Sequence, residues 1–182
     1  MKRSKKNLVW VDCEMTGLDP DRNVLIEIAV IITNYDLEIV ARGPVLAIRQ
    51  PKSKLDLMDA WNRRTHKQSG LLERIREEGV PLRDAEDEVL KFVKRNCYKK
   101  TAPLCGNSIG QDKRFLAKYM PRLHEFLHYK VIDVSSIKVL ATEWYGGKYQ
   151  PPEKQELHRA LADIEESIEE LRYYRENVFV AK

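Results

Sequence analysis

The sequence predicts an α/β protein whose mixed sheet combines an antiparallel meander with parallel strands and is flanked by helices. Three extended segments rich in Val and Ile open the chain, and short strands alternate with helical periodicity after Pro51. The links between the first three segments are too short for the crossover of a dozen or more residues that a parallel pair requires. These three strands are therefore expected to be antiparallel, and the later strands to extend the same sheet.

The individual elements follow from local composition. Turn residues at 17–20 and 34–36 separate the first three strands. The expected strands cover residues 8–15, 25–33, 37–48, 102–106 and 131–134. Apolar residues spaced three and four apart predict helices around residues 71–75, 84–93, 115–119, 135–144 and 159–177. Asp84 is a candidate N-cap of the second helix, and Pro121 is expected to end the third.

The composition indicates a soluble globular protein of one domain, covering residues 1–182. Of its residues, 43% are apolar and 33% are charged, and the net charge of +4 permits nucleic acid binding without requiring it. Three cysteines without a C-x-x-C spacing argue against a disulfide framework and favour a reducing compartment, the cytoplasm. The longest aliphatic run, residues 28–32, is far too short to span a membrane.

Asp12 and Glu14 are the most informative acidic pair. They lie two apart in an expected strand, so their side chains project from the same face. At a separation of roughly 7 Å, two such charges repel by about 2 kcal/mol, and a cation between them reverses that sign. Oxygen ligands alone favour Mg²⁺ or Mn²⁺ over structural zinc. The alternative at this point is an edge strand that exposes two solvated acids.

Three further residues are candidates for chemistry. Asp112 opens a helix whose core positions Phe115 and Leu116 follow three and four residues later, so its carboxylate is expected near the buried stripe. Its alternative role is to complement the helix dipole. His158 and Asp163 would diverge by about 140° on one helix, so they converge only if His158 belongs to the preceding loop. Otherwise both are ordinary surface residues.

Taken together, three motifs resemble those of a known family. They are residues 10–18 (WVDCEMTGL), 106–112 (GNSIGQD) and 158–163 (HRALAD). They resemble the three exonuclease motifs of the DEDDh superfamily, and nearly the whole chain resembles its oligoribonuclease family. Segments 61–66, 118–121 and 170–175 also resemble that family, which makes the match specific.

This resemblance implies a ribonuclease-H-like fold and a reaction. The expected activity is that of a 3′-to-5′ exoribonuclease that degrades short single-stranded RNAs, especially dinucleotides, to 5′-mononucleotides. The residues expected to hold two Mg²⁺ or Mn²⁺ ions are Asp12, Glu14, Asp112 and Asp163. His158 is the expected general base.

The resemblance also implies a homodimer and a set of substrate contacts. Positions that grip the bases are matched by Leu18, Trp61 and His66. Positions near the terminal phosphate are matched by Ser108 and Ser135. Residues that are contributed across the dimer interface are matched by Tyr129 and Lys130.

The chain departs from the family pattern at three positions. Lys130 stands where Arg is expected, which replaces a planar fork with a point charge and weakens a bidentate phosphate grip. Ala162 stands where a second Asp is common, and Leu157 where a hydroxyl residue is common. These two changes remove polar groups beside the expected ligands and base.

Two other functions stay open on the sequence. One is a DEDDh exonuclease that trims or proofreads longer RNA or DNA. The other is a catalytically silent RNA-binding dimer. The enzyme is favoured over the silent dimer because all five candidate catalytic residues are present.

Overall fold

The computed structural model describes residues 3–151 and 160–179. Within these residues the chain forms one five-stranded sheet in the order β3-β2-β1-β4-β5. The strands are β1 (Asn7–Met15), β2 (Leu25–Asn34), β3 (Ile39–Ala47), β4 (Leu104–Gly106) and β5 (Val131–Asp133). The helices are α1 (Lys52–Leu55), α2 (Ala60–Gln68), α3 (Leu71–Glu77), α4 (Leu82–Asn96), α5 (Gly110–Tyr119), α6 (Pro121–Phe126), α7 (Val134–Tyr145) and α8 (Ala160–Asn177).

The strand directions confirm the predicted mixed sheet. β1, β2 and β3 form the antiparallel meander, while β4 and β5 add parallel pairs beyond β1. β4 pairs with β1 at Val9 and Trp10, so the second half of β1 has, among the described residues, a strand neighbour on the β2 side alone. This leaves room for side chains at the end of β1, where the carboxyl ends of the parallel strands meet.

Two apolar layers cover the sheet. Val9, Val11 and Cys13 face the layer formed by α4, α5 and α6, whereas Leu8 and Trp10 face α7 and α8. The indole of the buried Trp10 donates a 2.9 Å hydrogen bond to Thr33 Oγ1 and so ties β1 to β2. Because side chains alternate along a strand, the next two residues on the α8 side of β1 are Asp12 and Glu14.

Several expected details were wrong or missing. Asp84 does not cap α4, because the helix begins at Leu82 after Pro81, whose fixed φ suits a helix start. Pro121 does end α5, but it also opens α6 as its first residue. The mostly exposed helices α1 and α2 were not predicted, because they carry no regular apolar stripe. Among the described helices, no segment is both long and apolar enough to cross a bilayer.

Candidate active site

Three carboxylates gather at the open end of β1. Asp12 and Glu14 project from the strand, and Asp163 projects from the first turn of α8. One carboxylate oxygen from each lies within 4.8 Å of the others. Packing α8 against the sheet therefore brings together side chains that are about 150 positions apart in the chain.

Asp112 adds a fourth carboxylate from the first turn of α5. Its buried side chain accepts a 2.9 Å hydrogen bond from the backbone N–H of Cys13, between the two acids of β1. Asp112 takes the place of a strand partner there, because β4 does not pair with this part of β1. Its charge also acts on Asp12 and raises the pKa of that carboxyl group.

Four carboxylates, Asp12, Glu14, Asp112 and Asp163, form the acidic cluster. Burial raises the pKa values of Asp12, Glu14 and Asp112. Burial is the main cause at Asp12, whose pKa lies well above its usual value. Burial and the charges of Asp163 and Glu27 raise the pKa of Glu14 to about 8. Burial raises the pKa of Asp112 to about 7, although the hydrogen bond from Cys13 opposes the shift. A positive partner therefore favours deprotonation of these groups near neutral pH.

The donor set fits a hard divalent cation. All four groups offer carboxylate oxygens, which are the ligands that Mg²⁺ and Mn²⁺ prefer. A cation among them offsets the repulsion that raises the pKa values. The cluster is thus suited to divalent metal binding.

The residues expected to grip bases differ in exposure. Leu18 is 73% exposed and Trp61 is 53% exposed. Leu18 also lines a cavity of about 360 Å³ that reaches Leu57 and Asp59. His66 is only 1% exposed, and its Nε2 lies 3.0 Å from the carbonyl oxygen of Met15. Its Nδ1 lies 3.9 Å from the Glu14 carboxylate, so His66 lies directly beside the acidic cluster.

Ser108 and Ser135 form a pair of adjacent hydroxyl groups, 3.2 Å apart. The N–H of Ser108 donates to the Asp133 carboxylate at 3.0 Å and to Ser135 Oγ at 2.9 Å. Asp133 also caps α7 by accepting the N–H of Ser135. These bonds hold Ser108 at a φ of 47°, which is uncommon for a residue other than glycine.

Tyr129 and Lys130 lie on the outer side of the sheet, immediately before the edge strand β5. Both are exposed, and the Lys130 ammonium lies 5.8 Å from the centre of the Tyr129 ring. The Tyr129 carbonyl accepts a hydrogen bond from Lys113 Nζ at 2.7 Å. His158 and Leu157 lie outside the described residues, whereas Ala162 is half-buried on α8 next to Asp163.

Comparison with known proteins places this arrangement in a family. A family model described as an exonuclease matches residues 9–171. The oligoribonuclease of Paracidovorax citrulli is 50% identical over 180 residues, which cover 99% of this chain and 93% of the relative. The oligoribonuclease of Thiobacillus denitrificans is 48% identical over the full length of both chains. The chain belongs to the oligoribonuclease family.

Solved structures support the fold of this oligoribonuclease-family chain. The zinc-bound complex of E. coli exonuclease I with single-stranded DNA matches with a TM-score of 0.76 at 11% identity. The match covers 98% of this chain and 41% of exonuclease I, so the chain spans about two-fifths of that protein. Exonuclease I from Methylocaldum szegediense matches with a TM-score of 0.69 at 16% identity, over 94% of this chain and 41% of its own. The predicted ribonuclease-H-like fold is confirmed.

Sequence reasoning missed Glu27 in this oligoribonuclease-family site. Glu27 is buried on β2 directly opposite Glu14, and it forms an ion pair with Arg74 of α3. Its other carboxylate oxygen accepts the N–H of Ala160, at 3.4 Å, where α8 begins. It therefore fixes the start of the helix that carries Asp163. The sequence did contain a signal for it, because Glu27 is the one acid within the apolar run 25–32 and a buried acid needs a partner.

Proposed function

We propose that the protein hydrolyses short oligoribonucleotides from the 3′ end, dinucleotides above all, and releases 5′-mononucleotides at the acidic cluster. Its family is that of hydrolytic 3′-to-5′ exoribonucleases that act on short oligomers. The observation that carries the proposal is the convergence of Asp12, Glu14 and Asp163, with Asp112 beside them. Buried carboxylates that repel one another destabilise the fold, so their presence favours a metal-binding catalyst over a catalytically silent relative.

In this proposal the four carboxylates hold two divalent ions, Mg²⁺ or Mn²⁺. When bound, such ions neutralise the scissile phosphate, lower the pKa of a water molecule and stabilise the departing 3′ oxygen. The protein contributes two ligands from a central strand and one from each of two helices. Rigid elements of this kind hold the ligand oxygens in a fixed arrangement.

His158 is the proposed general base. A histidine titrates near neutral pH, so it can accept the proton of the attacking water. It precedes the first residue of α8 by two positions, and Asp163 lies in the first turn of that helix. The Glu27 contact with Ala160 fixes the first described residue of α8.

The substrate grip is proposed from the exposed residues around the cluster. Leu18 and Trp61 offer large apolar surfaces, and stacking contributes about 1 to 3 kcal/mol per base. His66 is proposed to support the substrate site from inside the protein, because its ring is buried and lies beside the Glu14 carboxylate. Ser108 and Ser135 provide hydroxyl donors for a terminal phosphate.

We expect the greatest turnover on the shortest RNA. Incubating the protein with 5′-labelled RNAs of two to seven nucleotides, and with matched DNAs, tests this in the presence of Mg²⁺ or EDTA. The dinucleotide is expected to be cleaved fastest, with no product in EDTA. Faster cleavage of the heptamer or of DNA would instead identify a trimming or proofreading exonuclease. RNA binding that is equal in EDTA, without mononucleotide release, would identify a silent RNA-binding dimer.

A homodimer completes the proposed site. The edge strand β5 and helix α7 present exposed apolar side chains at Val131, Val139, Leu140 and Trp144, and Tyr129, just before β5, is also exposed. Such patches mark interaction surfaces, and an edge strand leaves backbone groups available for pairing. A second copy of this chain covering the patch brings Tyr129 and Lys130 toward the phosphate end of its partner's substrate.

Val139→Glu is expected to produce a monomer and to lower kcat/KM on a dinucleotide by about tenfold or more, since a charge is costly to bury in an interface. Sedimentation velocity and initial rates measure the two effects. Ile39→Glu, at the exposed start of the opposite edge strand, is the matched control and should change neither. A fully active monomeric variant would argue against a contribution from the partner.

The cytoplasm remains the proposed location, on the ground that Cys13, Cys97 and Cys105 are buried free thiols. A single exonuclease domain over residues 1–182 likewise remains a prediction.

A further inference from the structure

The side chain of Asn107 bridges two helices behind the hydroxyl pair. It follows directly after β4, and its Oδ1 accepts a 3.0 Å hydrogen bond from Ser135 Oγ at the start of α7. Its Nδ2 donates to two groups of α8, Ser167 Oγ at 2.8 Å and Glu170 Oε2 at 3.1 Å. One amide thus connects the proposed phosphate site with the helix that carries Asp163.

The α8 side of this connection is buried. Ser167 and Glu170 are both almost fully buried, and Ser167 Oγ donates a 2.7 Å hydrogen bond to the carbonyl of Asp163. The Ser167 hydroxyl therefore links the Asn107 amide to the backbone of Asp163. Breaking a contact in such a network leaves a buried polar group with one bond fewer, which is costly in a low dielectric.

The Ser135 hydroxyl has only one proton to donate. That proton points to Asn107 Oδ1 in the structure, while Ser135 Oγ accepts the N–H of Ser108. A phosphate group offers only acceptors when it is fully ionised, so Ser135 can bind it only by transferring its donated bond away from Asn107. Phosphate and Asn107 therefore compete for the same proton.

We propose that Asn107 is a positioning residue with two roles. Through Ser167 and Glu170 it fixes α8, which carries Asp163. It also accepts the hydrogen bond from the Ser135 hydroxyl until a terminal phosphate binds and accepts that bond instead. The inference rests on the proposed function, because it treats Ser108 and Ser135 as the phosphate donors. Removing the amide is then expected to have two separate effects. Metal affinity and kcat fall, because α8 is less firmly held. The KM for a 5′-phosphorylated dinucleotide stays level or falls, because the Ser135 hydroxyl is free to donate to the phosphate.

Asn107→Ala tests both effects. We expect kcat to fall by about 10- to 100-fold, and the Mn²⁺ dissociation constant to rise in the same range, as for other residues that support metal ligands. The Mn²⁺ constant is measured without substrate, by electron paramagnetic resonance of the free ion. The KM for the 5′-phosphorylated dinucleotide is expected to stay level or fall.

Two variants separate this role from a general loss of structure. Ser167→Ala removes one of the two α8 contacts of Asn107, together with the bond to the Asp163 carbonyl, and leaves the contact with Ser135 in place. We expect it to weaken Mn²⁺ binding without altering the KM. Asn177→Ala is the matched control, because its amide, as far as the described residues show, bonds within α8, to the Tyr173 carbonyl. It should leave all three quantities unchanged, and melting curves check the folding of every variant.

The outcomes distinguish this inference from the proposed function. If the wild-type protein cleaves dinucleotides while Asn107→Ala and Ser167→Ala keep wild-type kcat and Mn²⁺ affinity, the positioning role is wrong and the function stands. A folded Asn107→Ala protein with a raised KM would also overturn it, because the side chain would then be assisting phosphate binding. If the wild-type protein cleaves no RNA, the proposed function fails, and the Mn²⁺ titrations still decide the role of Asn107.

Discussion

Asp12→Asn is expected to abolish measurable hydrolysis while making the metal-free protein more stable. The substitution keeps the shape of a side chain that lies among three other carboxylates, but it removes one charge and one ligand. We expect kcat to fall by about 1,000-fold or more, beyond the roughly 10- to 100-fold typical of residues that merely support metal ligands. Stability should rise because burial and repulsion no longer oppose a charge at this position.

The measurement pairs two assays on the same preparation. Cleavage of a 5′-labelled dinucleotide in Mn²⁺ gives the rate, and thermal melting in EDTA gives the stability. Asp36→Asn is the matched control, since this exposed carboxylate pairs with Arg175 far from the cluster. Normal hydrolysis by Asp12→Asn would contradict the proposed site, and a lower melting temperature in EDTA would contradict the account of its electrostatics.

Without metal, the protein is expected to lose stability as the pH rises from about 4.5 to about 8. The pKa of Glu14 rises from its usual 4.5 to about 8 on folding, so the folded state holds a proton that the unfolded chain releases. Folding therefore takes up protons in this window, and stability is greatest below it. Each pH unit costs about 1.4 kcal/mol per proton taken up, which lowers Tm by about 3 to 6 °C. Asp112 adds to the slope up to about pH 7.

Melting curves in EDTA and in Mn²⁺ across this pH range test the expectation. Mn²⁺ should flatten or reverse the slope, because cation binding favours the deprotonated cluster and tightens as the pH rises. Glu14→Gln should reduce the slope in EDTA, whereas the exposed Glu73→Gln should leave it unchanged. Equal melting temperatures at pH 5 and pH 8 in EDTA would show that the cluster carries no such proton.

Much of the fold was predictable because its strands are locally distinct. The β-branched runs that become β1, β2 and β3 are separated by turns too short for a crossover, so the meander followed from the sequence. The helices packed on the sheet had regular apolar stripes. The helix α2 has mostly polar, exposed residues, and its N-cap, Asp59, was the one local signal.

Sequence reasoning could predict only those features of the site that depend on residues close together in the chain. Strand alternation alone puts Asp12 and Glu14 on one face. The convergence of Asp112 and Asp163 with them depends on packing across long stretches of chain, so it was expected chiefly from the motif resemblance. Glu27 and Asn107 were missed because their partners on α3 and α8 lie far away in sequence. The burial of His66 depends equally on tertiary packing.

The late position of Asp163 in the chain has a consequence for biosynthesis. The acidic cluster needs both β1 and α8, and β1 is synthesised long before α8. A nascent chain on the ribosome cannot complete the cluster until α8 has emerged and packed on the sheet. During synthesis, the protein is thus without its full ligand set until α8 has packed on the sheet.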